Sequence, residues 1–464
     1  MEREYYRPYT LFANIAFRSD STVYQFSETI WTWKERFAER QEIADYARHL
    51  SDLRKNIAFN TRITEAVWND VDHHWVTYVD AGTEKPVFAT ASFVVLCTGY
   101  TGQKHVPEIK GLETFGRAFH TADWTSDIVT EGKRVAVIAR TTRCHAFASD
   151  AGDRNLEATP SRPRTPHLTP TGLNLVPLPR DTFDDTPERR RQTYESTWAK
   201  GGQHFWFGNY RDLLENRPEN REAYNFWRDK TRARIQDPAK WEILAPTRPP
   251  YAFGTKRPAL ESRYFESFNR DNVTLVDLNR DEIMEITPAG VRTVSGQFHA
   301  LELIVLATGY EVGIGSQLAI AIHGRHGVSL QEKWYSSKGV ATHLGMITAG
   351  FPNLFFVCGP QSPTAFAVAP RVVELQVDFL VKRLAGCLKQ GRTIDTTAIA
   401  EGSWATEVDE SAKKTLIPET VGWYMRKGKP LFYIGGLPAY QASIDAAMED
   451  SSLSLAGTVR HAPD

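Results

Sequence analysis

Residues 303–310 read LIVLATGY, an apolar run that ends in Thr-Gly-Tyr. A similar glycine ending recurs at residues 354–359, LFFVCG, and at residues 96–100, LCTGY. Short runs of β-branched and aromatic side chains bounded by glycine are typical of buried strands. We therefore predict that these segments are central strands of an α/β sheet.

The segments around these strands alternate between helical and strand patterns. Residues 34–50 have the spacing of an amphipathic helix, and β-rich stretches follow at residues 59–67, 75–79 and 93–96. Residues 181–245 are dense in charge and aromatic side chains, which predicts helices inserted into the core fold. A further helix is predicted after Pro370, closed by Gly391.

The length and the charge balance of the chain limit the functions that it can have. At 464 residues it exceeds a usual single domain, so two or three packed units are expected. Lys and Arg number 55 against 56 Asp and Glu, a balance that argues against nucleic acid as a partner.

The cysteines and the apolar segments indicate the compartment. Cys97, Cys144, Cys358 and Cys387 form no C-x-x-C pair or zinc-ligand spacing, so they are interpreted as buried thiols and no metal site is predicted. The first residues are charged, and no apolar run approaches the ~20 residues of a membrane span. We expect a soluble, cytoplasmic protein.

One segment has no periodicity. Residues 139–176 are dominated by Pro, Thr and Arg, which is typical of a disordered linker. They directly follow GKRVAVI at residues 132–138, a strand that in dinucleotide-binding folds leads into G-x-G-x-x-G. A scrambled phosphate-binding loop is therefore the alternative to a linker.

Residues 116–124, GRAFHTADW, match the fingerprint F-x-G-x-x-x-H-x-x-x-W from its glycine onward, with Gly116, His120 and Trp124 in place. They lie between the 96–100 turn and GKRVAVI. In this order the chain resembles the Baeyer-Villiger flavoprotein monooxygenases, especially members from fungal secondary metabolism. The resemblance covers roughly residues 12–138 and 178–450, with further matches at 31–37, 253–258, 264–273, 350–353 and 359–365.

The resemblance implies an α/β fold with two dinucleotide-binding, Rossmann-like domains of the FAD/NAD(P)-binding flavoprotein type and a helical insertion. The expected division has three parts: residues 1–130 begin the FAD-binding domain, residues 131–300 form the NADP-binding domain with the insertion at about 181–245, and residues 301–464 complete the FAD-binding domain.

The family's functional residues map onto particular positions of this chain. Arg257 corresponds to the catalytic arginine, whose guanidinium keeps its charge and can stabilise the oxyanion formed when a ketone is attacked. Trp423 lies in the segment that resembles a lid over NADP and substrate. The positions that imply cofactor contacts are Tyr24, Ile63, Thr98, Gly99, Gly359 and Gln361.

The implied reaction uses FAD and NADPH to insert one oxygen atom from O2 beside a ketone carbonyl, which gives an ester or lactone. A related flavin monooxygenase that oxidises nitrogen or sulfur is the alternative, and it does not need the arginine. A catalytically inactive paralogue or a mistranslated chain is the third hypothesis. Nothing in the sequence identifies the substrate or the oligomeric state.

The chain departs from the family at its phosphate-binding loops. The first G-x-G-x-x-G is expected before Met1, which predicts an amino-terminally truncated chain, and the second coincides with residues 139–176. The motif [FY]-P-[GM]-x-x-x-D aligns with residues 12–18, where Arg18 replaces the acid. Because close approach to a pyrophosphate requires glycines at a helix start, we expect this chain as written to retain little FAD.

Overall fold

The computed structural model describes residues 24–34, 38, 40–50, 54–79, 86–125, 127–139, 177–259, 263–336, 339–363, 367–449 and 453–458. Helices and short strands alternate along these residues. The strands are β1 (Ile63–Asn69), β2 (His74–Val79), β3 (Val87–Ala91), β4 (Val94–Leu96), β5 (Ala118–His120), β6 (Val135–Ala139), β7 (Ile283–Thr287), β8 (Gly290–Thr293), β9 (Phe298–Ala300), β10 (Leu303–Ala307), β11 (Ala321–His323), β12 (Leu354–Phe356), β13 (Arg392–Thr396), β14 (Met425–Arg426), β15 (Lys429–Pro430) and β16 (Leu453–Thr458). The helices are α1 (Arg40–His49), α2 (Pro187–Ala199), α3 (His204–Phe207), α4 (Arg217–Arg232), α5 (Trp241–Leu244), α6 (Tyr264–Ser267), α7 (Gly315–Leu318), α8 (Leu330–Tyr335), α9 (Ala369–Gln390), α10 (Ala398–Lys413) and α11 (Leu437–Glu449).

The segment that opens with LIVLA forms the middle of a parallel sheet in the order β5-β10-β6. Both faces of this sheet are covered. Val137 and Val305 pack with Trp124 on one face, whereas Ile138 and Ile304 belong to a separate buried cluster. Burial on both faces explains why these strands are continuously apolar.

A second parallel pair joins β4 to β12, with Leu96 opposite Phe356. The ladder continues past the strands, because the Val357 N–H donates to the Leu96 carbonyl at 3.0 Å. Helix α9 belongs to the same buried cluster as β12. It ends at Gly391, whose φ of 60° and N–H donation to the Cys387 carbonyl close the helix as predicted.

The remaining described strands form four antiparallel or mixed sheets, in the orders β11-β1-β2-β3, β7-β8-β9, β13-β16 and β14-β15. Two predicted elements are shorter than expected. The strand predicted from residue 59 begins at Ile63, because Asn60 has a φ of 56° and turns the chain. The helix predicted over residues 34–50 runs from Arg40 to His49 within the described residues.

Helices α2, α3 and α4 pack around an aromatic cluster within the segment predicted to hold inserted helices. Its buried members include Tyr194, Phe205, Trp206, Tyr224 and Phe253. Among the described residues, no helix combines the length and the apolar character needed to span a membrane.

Two chain segments run side by side between the parallel sheets, and we call them the first crossing (residues 97–105) and the second crossing (residues 307–311). The His105 N–H donates to the Gly309 carbonyl at 2.8 Å, and the Thr308 hydroxyl donates to the His105 carbonyl at 2.6 Å. Strands β5 and β6 both pair with β10. The β5-β10-β6 sheet therefore extends beyond both boundaries predicted for the NADP-binding domain, at residues 130 and 300.

Candidate functional site

The first crossing starts with an exposed turn at the carboxyl end of β4. Thr98 and Gly99 are exposed, and a Cβ atom added to Gly99 would meet nothing within 4 Å. Tyr100 is half-buried, with its ring edge-on to Phe432 at a centroid distance of 6.1 Å. The turn therefore has open space beside Gly99 and the aromatic rings of Tyr100 and Phe432 on its other side.

The segment after β12, residues 357–363, has an unusual backbone. Cys358 and Gln361 have φ values of 53° and 67°. Gly359 is buried, and a Cβ atom there would lie 2.4 Å from the Gly345 carbonyl oxygen, so packing requires glycine at this position. Positive φ at residues other than glycine is costly, and it is often found where the backbone is held for a ligand.

Gln361 uses its side chain within the protein. Its Oε1 accepts hydrogen bonds from the backbone N–H and the hydroxyl of Thr342, at 2.9 and 3.0 Å. Its Nε2 donates to the Val340 carbonyl at 3.3 Å. The residue is 3% exposed. Gln361 therefore holds its loop in place, and its predicted contact with the cofactor stays a prediction.

A buried polar network fixes the same segment, and the sequence analysis missed it. Gln376 on α9 accepts from the Cys358 N–H at 2.7 Å and donates to the hydroxyls of Ser362 and Tyr440, at 3.0 and 2.6 Å. The Tyr440 hydroxyl donates to the Leu344 carbonyl at 2.7 Å. The available signal was one glutamine inside the apolar run of α9.

Arg257 lies on a loop that is hydrogen-bonded to the carboxy-terminal part of the chain. The hydroxyls of Thr255 and Thr420, both buried, share a 2.7 Å hydrogen bond. Burial raises the pKa of the Tyr100 hydroxyl, the Cys358 thiol raises it further, and the Arg257 charge lowers it. Tyr100 is therefore within electrostatic range of both the predicted catalytic arginine and the segment after β12.

Trp423 joins the same region through aromatic contacts and backbone hydrogen bonds. Its ring contacts Phe432 with a centroid distance of 5.5 Å, and Phe432 also contacts Tyr100. The Gln361 N–H donates to the Leu431 carbonyl at 2.6 Å. The structure thus brings four predicted regions together: the first crossing, the segment after β12, the Arg257 loop and the Trp423 segment.

The three fingerprint residues have different surroundings. Trp124 is a core residue, 8% exposed, on one face of the β5-β10-β6 sheet. His120 is buried at the end of β5. Its Nε2 lies 3.0 Å from the Gly309 carbonyl and its Nδ1 accepts from the Ala122 N–H at 3.0 Å, which defines a neutral imidazole. Gly116 is exposed, and a Cβ atom there would meet nothing within 4 Å.

The electrostatic setting of His120 favours the neutral ring. Burial lowers its pKa, although the Gly309 carbonyl and Asp123 act in the opposite direction. The ring is also edge-on to Tyr310 at 5.6 Å. His120 therefore fastens the parallel sheet to the second crossing.

Two predicted cofactor positions lie in other elements. Tyr24 is half-buried, three residues before Ser27, which donates from its N–H and its hydroxyl to Glu374 on α9. Ile63 begins β1 opposite Val79. Residues 12–18 and 140–176, which include the predicted loop and Arg18, lie outside the described residues.

Comparison with known proteins decides the family. The FAD-binding monooxygenase VdtE of Byssochlamys spectabilis is 31% identical, over 91% of this chain and 82% of that protein. Cyclopentanone 1,2-monooxygenase of a Comamonas strain is 32% identical, over 92% and 84%. The chain belongs to the Baeyer-Villiger family of FAD-binding monooxygenases. No protein-family model matches it.

A solved structure and one further relative complete the comparison. The crystal structure of OTEMO in complex with FAD and NADP is similar with a TM-score of 0.85 and 26% identity, over 96% of this chain and 91% of that one. The predicted α/β fold of the flavoprotein type is thereby confirmed. The phenazine N-monooxygenase PhzNO1 of Lysobacter antibioticus is 32% identical over 92% of the chain and 85% of that protein.

The described residues fit the flavin ring of FAD, the cofactor that this family binds. Val95, in the middle of the β4 strand, is 41% exposed, so this strand has an open apolar face that continues into the exposed turn at Thr98 and Gly99. The guanidinium of Arg257 is a permanent cation within electrostatic range of the Tyr100 hydroxyl, whose pKa it lowers. The segment predicted to bind the NADPH phosphates lies outside the described residues.

Proposed function

We propose that this chain is an FAD- and NADPH-dependent monooxygenase that inserts one oxygen atom from O2 beside a ketone carbonyl, giving an ester or lactone. The proposal rests on one observation. The Arg257 loop lies near the first crossing, the segment after β12 and the aromatic rings of Tyr100, Phe432 and Trp423. Family membership supports the cofactors and the reaction class. A polyketide-derived or other secondary-metabolite ketone is the substrate class that we favour.

Each residue of the site has a proposed role. FAD, reduced by NADPH, supplies the oxygen activation when it is bound. Thr98, Gly99 and Gly359 offer backbone groups at the strand ends. Arg257 stabilises the negative charge that develops on the substrate oxygen, because its guanidinium stays protonated. Trp423, which contacts Phe432, excludes water from the reacting atoms.

We also propose how the chain is divided. The first and second crossings, hydrogen-bonded to each other, are the natural limits between an FAD-binding and an NADP-binding part. This proposal moves the predicted boundaries from residues 130 and 300 to the neighbourhood of residues 105 and 309. Cys358 and Cys387 are buried as predicted, whereas Cys97, which follows β4, is exposed. All three are free thiols, which supports a cytoplasmic location.

The experiment measures product with purified protein, excess FAD and NADPH, and a panel of cyclic, aryl and polyketide ketones under ¹⁸O2. We expect one labelled oxygen atom in an ester or lactone. Arg257→Ala should lower the rate of ester formation by about 10²- to 10³-fold, as expected for loss of an oxyanion-stabilising group. Arg134→Ala, at a surface pair with Glu302, is the matched control and should leave the rate unchanged. Full ester formation by Arg257→Ala would refute the role of Arg257.

A second candidate function is oxidation of a heterocyclic nitrogen. Its specific support is the 32% identity to a phenazine N-monooxygenase. The same assay with phenazines and sulfides separates the two. An N-oxide or sulfoxide formed without any ester, at a rate that Arg257→Ala does not change, would favour this second candidate.

A further inference from the structure

A buried ion pair joins α8 to α10. The Lys333 ammonium donates to Glu401 Oε1 at 2.9 Å and lies 3.1 Å from Glu401 Oε2. It also donates to the Thr348 hydroxyl at 2.9 Å and to the Ala349 carbonyl at 2.7 Å. Glu401 is 6% exposed. None of the predicted site residues belongs to this pair.

The Glu401 carboxylate holds a turn formed by residues 342–348, which we call the supporting turn. Glu401 Oε1 accepts from the Thr348 hydroxyl at 2.6 Å and from the Ala349 N–H at 3.2 Å. With Lys333, the carboxylate therefore has three donors around it. Together these contacts fix the end of the supporting turn.

Two backbone hydrogen bonds join the arms of the supporting turn. The His343 N–H donates to the Ile347 carbonyl at 2.7 Å, and the Ile347 N–H donates to the His343 carbonyl at 3.2 Å. Thr342, on the arm opposite Thr348, donates to Gln361 Oε1 from its N–H and its hydroxyl. A displacement of Thr348 is therefore transmitted through the two arms to Gln361.

The supporting turn also packs closely against the segment after β12. A Cβ atom added to Gly345 would lie 2.3 Å from Ser362 Oγ and 2.7 Å from the Ser362 backbone nitrogen. A Cβ atom on Gly359 would lie 2.4 Å from the Gly345 carbonyl oxygen. Because interiors packed this closely transmit displacements, the segment that contains Gly359 and Gln361 follows the position of the turn.

Helix α10 contacts the same segment a second time. Trp404 is 5% exposed, and its Nε1 donates to the Gln361 carbonyl at 3.3 Å. Residues three apart lie on the same face of a helix. Glu401 and Trp404 therefore hold Gln361 from one face of α10, Glu401 through the supporting turn and Trp404 directly.

Stability alone does not explain a buried ion pair at this place. The desolvation of two charges offsets their attraction, so apolar residues of similar volume are often at least as stabilising. A carboxylate adds directed hydrogen bonds to donors at fixed positions. Such direction matters for Gln361, whose φ of 67° must be maintained by its surroundings.

We propose that Glu401 is a positioning residue for the flavin ring of FAD. Paired with Lys333, it fixes the supporting turn, which with Trp404 sets the backbone at Gly359 and Gln361. The presence of a flavin at this segment rests on the proposed function. The effect of Glu401 on the segment itself does not, so the two are tested separately.

The first experiment measures hydrogen exchange by mass spectrometry on the purified full-length chain without added flavin. Glu401→Leu removes the acceptor that holds Thr348 and Ala349. Peptides over the supporting turn and residues 357–363 should therefore exchange about 10- to 100-fold faster, as expected for loss of a hydrogen bond to a charged group. Unchanged exchange in these peptides would overturn the proposal.

Two further variants are matched controls. Glu401→Gln keeps an acceptor oxygen, so it should retain most of the protection that Glu401→Leu loses. Glu410→Gln removes the charge of an exposed partner of Lys413 on the same helix, and it should leave the exchange of both segments unchanged. Equal acceleration by the two Glu401 variants would show that only the charge matters, which contradicts positioning through hydrogen bonds.

A double variant separates positioning from stability. Lys333→Met combined with Glu401→Leu replaces the ion pair by apolar side chains, which should return the melting temperature towards that of the unmodified protein. The supporting turn and residues 357–363 should still exchange fast, because Thr348 and Ala349 have lost their acceptor. Protection that recovers together with the melting temperature would refute the positioning role.

The second experiment titrates excess FAD into the same proteins and records flavin absorbance and fluorescence. With Glu401→Leu, the absorbance maxima should shift towards those of free FAD and the dissociation constant should rise by about tenfold or more, whereas Glu401→Gln should resemble the unmodified protein. An unchanged spectrum and affinity in Glu401→Leu, despite faster exchange, would overturn the proposal alone. No binding by any form, the unmodified protein included, would overturn the proposed function and this proposal with it.

Discussion

Gly254, three residues before Arg257, offers a quantitative test of how the arginine loop is packed. Its φ is +81°, and a Cβ atom would lie 2.4 Å from Trp206 Nε1, 2.7 Å from Trp206 Cδ1 and 3.1 Å from Leu214 Cδ2. Gly254→Ala therefore combines two costs. The left-handed backbone costs about 1–2 kcal/mol for any residue with a Cβ atom. Overpacking against the 4%-exposed Trp206 adds about 1–3 kcal/mol.

A matched control separates these two costs. Gly296 has a φ of +88°, and a Cβ atom there would meet nothing within 4 Å. Gly296→Ala should therefore lose only the backbone cost. The difference between the variants, about 1–3 kcal/mol, measures the steric conflict with Trp206.

Hydrogen exchange followed by mass spectrometry is the suitable assay, because it reports local opening around each glycine separately. For Gly254→Ala, peptides over residues 204–215 and 250–259 should exchange faster, and the steric part alone corresponds to about 5- to 150-fold. For Gly296→Ala, acceleration should be smaller and confined to β8 and β9. Equal acceleration around both glycines would refute the packing argument.

The remaining predictions concern two buried polar groups. Burial lowers the pKa of His120 below 6.5, so the unfolded chain binds the proton more tightly, and the contribution of His120 to stability is complete above pH 6.5 and lost as the pH falls below it. Urea denaturation from pH 7.5 to 5 should show a steeper loss of stability for the unmodified protein than for His120→Gln, and parallel curves would contradict this. Gln376→Leu should lower the free energy of unfolding by about 2–4 kcal/mol, because the Cys358 N–H and the Tyr440 hydroxyl lose a partner. Gln192→Leu, at an exposed position of α2, should change it by less than about 0.5 kcal/mol, and equal losses in urea titrations would count against the network.

The sequence predicted those elements whose signal is local. Strands β6, β10 and β12 are continuous apolar runs, and α9 ends at a glycine. The apolar composition and the position of that glycine were therefore sufficient to predict these elements. The family motifs predicted which segments meet, including the Arg257 loop and the Trp423 segment. The order β5-β10-β6 and the network around Gln376 depend on partners distant in sequence, which no local pattern encodes. The fingerprint spacing is compatible with a packing role or a functional role for Trp124, and its place in the core cluster of the β5-β10-β6 sheet shows that it packs.

The order of strands in the β5-β10-β6 sheet has a consequence for synthesis of the chain. The middle strand is made last, and among the described residues β5 and β6 pair only with β10 in this sheet. About 160 residues separate β6 from β10, so a ribosome adding about 5–20 residues per second needs roughly 8–30 s to deliver the strand that both neighbours require. During that interval β6 lacks the strand with which it pairs in the described part of the chain. The nascent chain should then depend on chaperones, and this dependence should end as β10 leaves the exit tunnel.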